Sequence, residues 1–392
     1  MSEHDLIMSH LEAAEDRYLD DLRHLAGIDS GSYDKPGVDR VQGWFAERFA
    51  ELGFEVERRR QAEWGDDLVA RRRGEGRARV LLIGHADTVY PPGTAATRPL
   101  TVVGDRVLGP GTCDMKAGLL SGLYALRALE ETGWRGYGLI TVVIVSDEEI
   151  QQRHSVDLLR EEGPRHHAVL TLEAARANGD IVTSRKASRW YRVEAIGKAA
   201  HAGVEPEKGA NGTLAIARII DAAFELNGLK PGMTVNPGRI EGGANPNVVA
   251  DRASVLFDLR TWTNAEMEEL AGAFRRIVDA PGVPGVTATM DFSGGPGMPA
   301  MERSAGTVRL EQHAIGIAAD LGFGLKGAAT GGASDVSHAV HAGTPGLDGL
   351  GPVGGLDHSP DEYILRSSIV PRTALLARLL QAIAADEELT RG

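Results

Sequence analysis

Cysteine is almost missing from this 392-residue chain, where Cys113 stands alone. A single thiol excludes an intrachain disulfide framework and any zinc site built from a cysteine cluster. A basic surplus is missing too. The formal net charge is −13, and no Lys/Arg-rich segment offsets it, which excludes the electrostatic footprint of a nucleic-acid binder. The short runs at 58–60 and 71–73, each three arginines, read as solvated strand or turn faces. No apolar run approaches the length needed to span a membrane. The N-terminal stretch MSEHDLIMSHLEAAEDRYLDDLRHL is acidic and amphipathic, without the basic start and apolar core of a signal peptide. These absences predict a soluble cytoplasmic protein with no nucleic-acid or membrane partner.

What is present in abundance is glycine, at 49 residues, pointing to many tight turns and close backbone approaches. The length exceeds one ordinary core and predicts two or three domains. Helical spacing of apolar residues marks 6–26 and 38–52, then 116–132. Between and after them lie short, nearly continuous apolar runs at 78–89, 139–147 and 167–175, as expected of strands covered on both faces. Alternating strands and helices predict an α/β domain with a mostly parallel sheet and helices on both faces. Near residue 187 the pattern changes. Residues 188–197 alternate apolar and polar, followed by a helix (208–226), a strand (254–260), a second helix (264–278) and a strand (286–292). This suits an inserted α+β domain of ferredoxin-like β-α-β-β-α-β order. The expected division is 1–186 and 299–392 for the α/β core domain and 187–298 for the inserted domain.

The run VVIVSDEEI (142–150) ends in three carboxylates, Asp147, Glu148 and Glu149. An isolated acidic turn is usually only solvated, yet other predicted strands also end in metal-capable residues. GHADTV supplies His85 and Asp87, and LEAAR supplies Glu173. Two loops add Asp114 in GPGTCDMKAG and His358 in DHSPDEY. In open α/β sheets ligands bind beyond the carboxyl ends of the strands, so these side chains have a place to converge.

The motifs GHADTV, GPGTCDMKAG, SDEE, LEAAR, GKAAHAG, GGANPNVVADR and DHSPDEY follow one another over residues 80–360. Their order resembles the two-zinc carboxypeptidase and aminoacylase family, most nearly its glutamate carboxypeptidase branch. By that likeness the α/β core would be the catalytic domain and the insertion a lid or dimerisation domain. The resemblance implies that Asp114 bridges two divalent ions, zinc with cobalt or manganese as substitutes. One ion would also take His85 and Glu173, the other Glu149 and His358; imidazole and carboxylate suit such metals. Asp87 would accept a hydrogen bond from the second nitrogen of His85 and fix its tautomer. The peptide bond after Asp114 would be cis. In an extended segment neighbouring side chains point apart, so Glu149 would face metal and Glu148 would act as general base on the attacking water. In the inserted domain the resemblance implies that His201 reaches the partner subunit of a homodimer and polarises the scissile carbonyl. Asn247 and Arg260 would hold a substrate carboxylate, while Gly332 and Ser334 in TGGASD would lie beside the substrate. By itself Arg260 reads as a strand-end ion-pair residue; a guanidinium fork also matches a carboxylate bidentately.

The expected activity is metal-dependent hydrolysis of an amide bond next to a free carboxylate. The substrate would be a small peptide losing its C-terminal amino acid, or an N-acyl amino acid. Alternatives are a non-catalytic metal- or ligand-binding protein on the same scaffold, or a deacylase of another small amide. One departure matters: glutamate-specific relatives carry an arginine where the chain leaves the inserted domain, and FSGGPGMPAM (292–301) has no basic residue. That weakens the case for glutamate and leaves room for a less acidic or bulkier residue. Two rival motifs fail. Gly349-Leu-Gly351-Pro-Val-Gly354 fits G-x-G-x-x-G, but Pro352 prevents a dinucleotide-binding helix from opening there. Ser334, Asp335 and His338 lie too close on one segment to form a triad. The histidines 154, 166, 167, 313 and 341 read as surface or ordinary core residues.

Overall fold

The computed structural model describes residues 3–295 and 297–391. Its residues fall into two compact units. The first holds residues 1–184, 303–329 and 334–392; the second holds 185–302 and 330–333. Pro296, within the stretch that leaves the insertion, lies outside the described residues.

The first unit is built on a six-stranded mixed sheet in the order Glu55–Arg59, Asp67–Arg73, Tyr137–Val145, Ala78–His85, Ala168–Thr171, Gly346–Leu347. The last four strands are parallel to one another, while the first two run antiparallel. The arginine runs at 58–60 and 71–73 fall largely on this antiparallel edge, where Arg71 pairs with Glu57 and Glu162 and Arg72 with Glu130. In the central strand Val80, Leu81, Leu82 and Ile83 are all buried, because both faces are covered. Each such side chain contributes about 1.5–3 kcal/mol by leaving water. Helices Glu3–Ala26, Ala117–Glu131 and Arg366–Ala385 pack together over one face, and Val336–His341 sits on the other. Gly118 lets helix Ala117–Glu131 approach the end of strand Ala168–Thr171: a Cβ there would stand 1.7 Å from the carbonyl oxygen of Leu172. Glu173 follows directly.

The C-terminal helix departs from the expectation that no apolar run is long enough to cross a membrane. Arg366–Ala385 has 20 residues and reaches a mean hydropathy of 1.2, sufficient by length and composition. Its apolar side chains are core: Ile369, Leu375, Leu376, Leu379 and Ile383 are buried against the rest of the unit.

The second unit is a four-stranded antiparallel sheet, in the order Thr234–Gly242, Arg252–Thr261, Ala187–Ile196, Thr287–Phe292. Two helices, Gly212–Phe224 and Asn264–Val278, bury their apolar sides on it through Ile216, Ile219, Met267, Leu270 and Phe274. Their starts are set locally. Asn211 caps the first, and a reciprocal Thr263–Glu266 capping box starts the second. Strand Thr234–Gly242 completes the β-α-β-β-α-β order and was not evident from alternation, because Pro237 and an irregular register beside it interrupt the run.

Candidate metal centre

Three parallel strands deliver side chains to one edge of the first unit's sheet. His85 is the last residue of its strand, and Glu173 comes two residues after Thr171. Glu148 and Glu149 follow the strand that ends at Val145. The chain corrects one expectation here. Glu148–Ile150 is a single 3₁₀ turn, not an extended segment. With about three residues per turn, the two glutamate side chains still diverge, by roughly 120°.

Asp114 lies between two groups of donors. Its Oδ1 is 2.9 Å from His85 Nε2, and its Oδ2 is 3.1 Å from His358 Nε2. His85 Nε2 is also 3.5 Å from Glu173, and His358 Nε2 is 3.2 Å from Glu149. The other four side chains expected to hold metal are therefore gathered about the Asp114 carboxylate. The Asp114–Met115 peptide is cis. His85 is fully buried, while His358 is half exposed on a loop where its own φ is +60°. Left-handed backbone at a non-glycine residue is sparsely populated and clusters at functional sites.

Asp87 differs from its expected role in detail. His85 Nδ1 sits 3.0 Å from the backbone carbonyl of Asp87 and 3.4 Å from its carboxylate, so the carbonyl is the better acceptor. The carboxylate instead accepts Ser32 Oγ–H at 2.6 Å and the backbone N–H groups of Glu148 and Glu149 at 3.2 Å. Asp87 thus steadies the ring with its backbone and the glutamate turn with its side chain.

Asp147, the third acid of the run, faces inward. It accepts the Ser155 hydroxyl and the backbone N–H of His154, and its Oδ2 lies 2.9 Å from His154 Nδ1. The other nitrogen of His154 is 3.3 Å from Asp67. Burial disfavours a charge on this ring, but the two aspartates dominate and push its pKa up to about 9. Asp67, Asp147 and His154 make a buried ion triad under the turn. Sequence reasoning placed His154 among ordinary residues; its partners are 7 and 87 positions away, and no local pattern joins them.

The electrostatics of the cluster favour a cation. Burial and the neighbouring Asp114 push Glu149 up to about 8, and burial raises Glu173 and Glu148 as well. Hydrogen bonds to Asp114 and Glu149 push His358 up to about 11. Glu149 Oε1 is buried with no hydrogen-bond partner. Donor atoms of His85, Asp114 and Glu173 lie within 4.8 Å of one another, as do those of Asp114, Asp357 and His358. Imidazole and carboxylate donors gathered in this way, with an orphaned acidic oxygen among them, fit divalent metal chemically.

The second unit carries His201, Asn247, Arg260 and Gly332. His201 is exposed, its Nδ1 accepts from Gly203 N, and its segment bridges to Val248 beside the exposed Asn247. Arg260 donates Nε–H to Asp258 at 2.8 Å and Nη1–H to the Gly331 carbonyl at 2.7 Å. It is thus the strand-end ion pair that its position suggests, and the tethers orient its fork. Gly332 accepts from Arg185 through its carbonyl. Ser334, in the first unit, is buried and donates its hydroxyl to Asp348 at 2.8 Å, which leaves it no proton to offer a substrate.

An α/β sheet with imidazole and carboxylate groups converging at its strand ends, joined to a smaller α+β unit, defines a metal-dependent hydrolase. The model of peptidase family M20/M25/M40 matches residues 81–382, and this chain belongs to that family. Carboxypeptidase G2 from Pseudomonas sp. (strain RS-16) is 30% identical over 372 residues, covering 93% of this chain and 89% of that protein. A succinyl-diaminopimelate desuccinylase from Stenotrophomonas maltophilia is 26% identical over 87% of this chain and 93% of its own. Among solved structures, an aminopeptidase PepT from Bacillus cereus superposes with a TM-score of 0.79 at 23% identity, covering 95% of this chain and 99% of that one.

Proposed function

We propose that this chain hydrolyses an amide bond adjacent to a free carboxylate, either removing a C-terminal amino acid from a small peptide or deacylating an N-acyl amino acid. Asp114, lying between His85 with Glu173 and His358 with Glu149, is the single observation that carries the reading. Those five side chains would hold two divalent cations, zinc in the first instance. Bound there, the cations would acidify water and stabilise negative charge developing on the substrate oxygen. Glu148 would take the proton of the attacking water and deliver it to the leaving nitrogen. Arg260, held by Asp258 and Gly331, would grip the carboxylate. Asn247 lies in the loop at the opposite end of strand Arg252–Thr261, next to the His201 segment, and would act together with His201. In this reading the enzyme is a cytoplasmic homodimer, and His201, exposed on the second unit, would serve the partner's site.

Chelation should stop hydrolysis and added zinc should restore it. A panel of peptidyl and N-acyl amino acids should be cleaved only with a free terminal carboxylate. Equal cleavage of amidated substrates would remove the basis for the clamp, and turnover that persists in chelator would remove the metal.

A further inference from the structure

Glu362 lies in the motif DHSPDEY, four residues after His358, and is fully buried. Its Oε1 accepts the backbone N–H of Cys113 at 2.7 Å and of Asp114 at 3.0 Å. Its Oε2 accepts the N–H of Gly111 at 2.9 Å and lies 2.7 Å from the Tyr90 hydroxyl. One carboxylate thus collects three N–H groups of the loop that presents Asp114, a backbone nest closed on an internal anion. Gly111 makes the fold of this nest possible: its φ is +70°, and a Cβ there would stand 2.9 Å from Thr88.

The same residue fastens the other loop. Glu362 N–H donates to Ser359 O, and Gly109 N–H donates to Glu362 O. The Tyr90 hydroxyl also lies 2.8 Å from Ser359 O, and Arg98 donates to that carbonyl at 3.2 Å. Burying a carboxylate is costly unless its lone pairs are used, and a neutral side chain cannot accept at both oxygens in this way. With its backbone N–H turned toward Glu362, Asp114 has its side chain directed to His85 and His358.

We propose that Glu362 is a positioning residue that joins the Asp114 loop to the His358 loop and so sets the affinity of the site for its cations. This rests on the reading of the site as a metal centre. An amide at position 362 would turn one acceptor oxygen into a donor facing backbone donors, and the loop would have to shift. Outer partners of metal ligands govern affinity in this way, typically by about 10–100-fold.

The test is a competition titration of metal-stripped full-length protein with zinc against a chromophoric chelator, with the visible spectrum of the cobalt-loaded protein read in parallel. Glu362→Gln should bind zinc about 10–100-fold more weakly than wild type and show an altered cobalt spectrum, while remaining folded by circular dichroism. Tyr90→Phe, which spares the three N–H contacts, should weaken binding by no more than about threefold. Should Glu362→Gln not fold, Glu362→Asp carries the test, since it keeps the charge but shortens the reach. A folded variant at 362 with lower thermal stability but unchanged zinc affinity and cobalt spectrum overturns the proposal, leaving Glu362 a purely structural acid. If wild type itself binds no divalent cation, the metal-centre reading fails instead, so the two failures are distinguishable.

Discussion

The two units hold their chemical residues in opposite ways. In the first, His85, Asp114, Glu149 and Glu173 are buried or nearly so, and each is braced by a neighbour with a definite partner. In the second, His201 and Asn247 are exposed, and Arg260 is tethered through only part of its fork. The proposed metal ligation tolerates little error in geometry, and all of its side chains except the half-exposed His358 are buried or nearly so. Gripping a carboxylate tolerates more, so it can be left to an exposed edge. The difference predicts that substitutions in the first unit act on cation affinity or on the chemical step, while in the second Arg260 acts on substrate choice and His201 on turnover, neither changing metal content.

The largest effect should come from Glu148, proposed above as the general base beside the braced cluster. Glu148→Ala should lower kcat by about 10²–10⁴-fold while elemental analysis still finds the wild-type metal content. Loss of metal together with turnover would make Glu148 a ligand and break the division of labour between the adjacent glutamates. Next in size is Arg260→Ala. Removing a charge-assisted contact worth about 1.5–3 kcal/mol should lower kcat/KM for free-carboxylate substrates by roughly 10–150-fold, leaving metal content unchanged. If amidated and free substrates suffer alike, Arg260 is only the ion-pair partner of Asp258, and the contrast between the units weakens.

The proposed ligands could be read from sequence because each sits in a short motif: His85, Glu149 and Glu173 at points where an apolar run stops, Asp114 and His358 in the loops GPGTCDMKAG and DHSPDEY. The supporting layer could not. Glu362 meets Gly111, Cys113 and Asp114 across about 250 positions, and His154 meets Asp67 across 87. The same physics explains the misses in the fold. Strand Thr234–Gly242 has Pro237 and exposed side chains in place of a clean alternation, yet sheet pairing with Arg252–Thr261 holds it. The turn at Glu148–Ile150 escaped because the apolar pattern ends at Val145, and the geometry beyond it is set by hydrogen bonds to Asp87.

A subtler signal tests whether the exposed His201 serves its own subunit or another. His201→Ala and Glu148→Ala proteins should each be nearly inactive. If the chain forms the proposed homodimer, mixing them so that subunits exchange gives half heterodimers with one intact site each, or about a quarter of wild-type activity. A mixture no more active than its parts would confine His201 to its own chain.

The smallest expected effect concerns the ion triad beneath the glutamate turn. His154 is raised to about 9 by Asp147 and Asp67 against the opposing effect of burial, above the ordinary histidine value of 6.5. A histidine that gains a partner on folding contributes stability fully below its unfolded pKa and loses it as pH rises through the folded value. Wild type should therefore exceed His154→Gln in Tm by about 1–2 °C near pH 6, the shift that about 1 kcal/mol produces in a chain of this size. That advantage should fade between about pH 6.5 and 9. Since Asp147 anchors the start of the Glu148–Glu149 turn, the variant should also show a weaker metal site at every pH, but less so than a change at Glu362. Parallel melting curves across that range would mean that the triad holds the turn as a neutral hydrogen-bonded brace, and the bracing of the first unit would then be independent of charge.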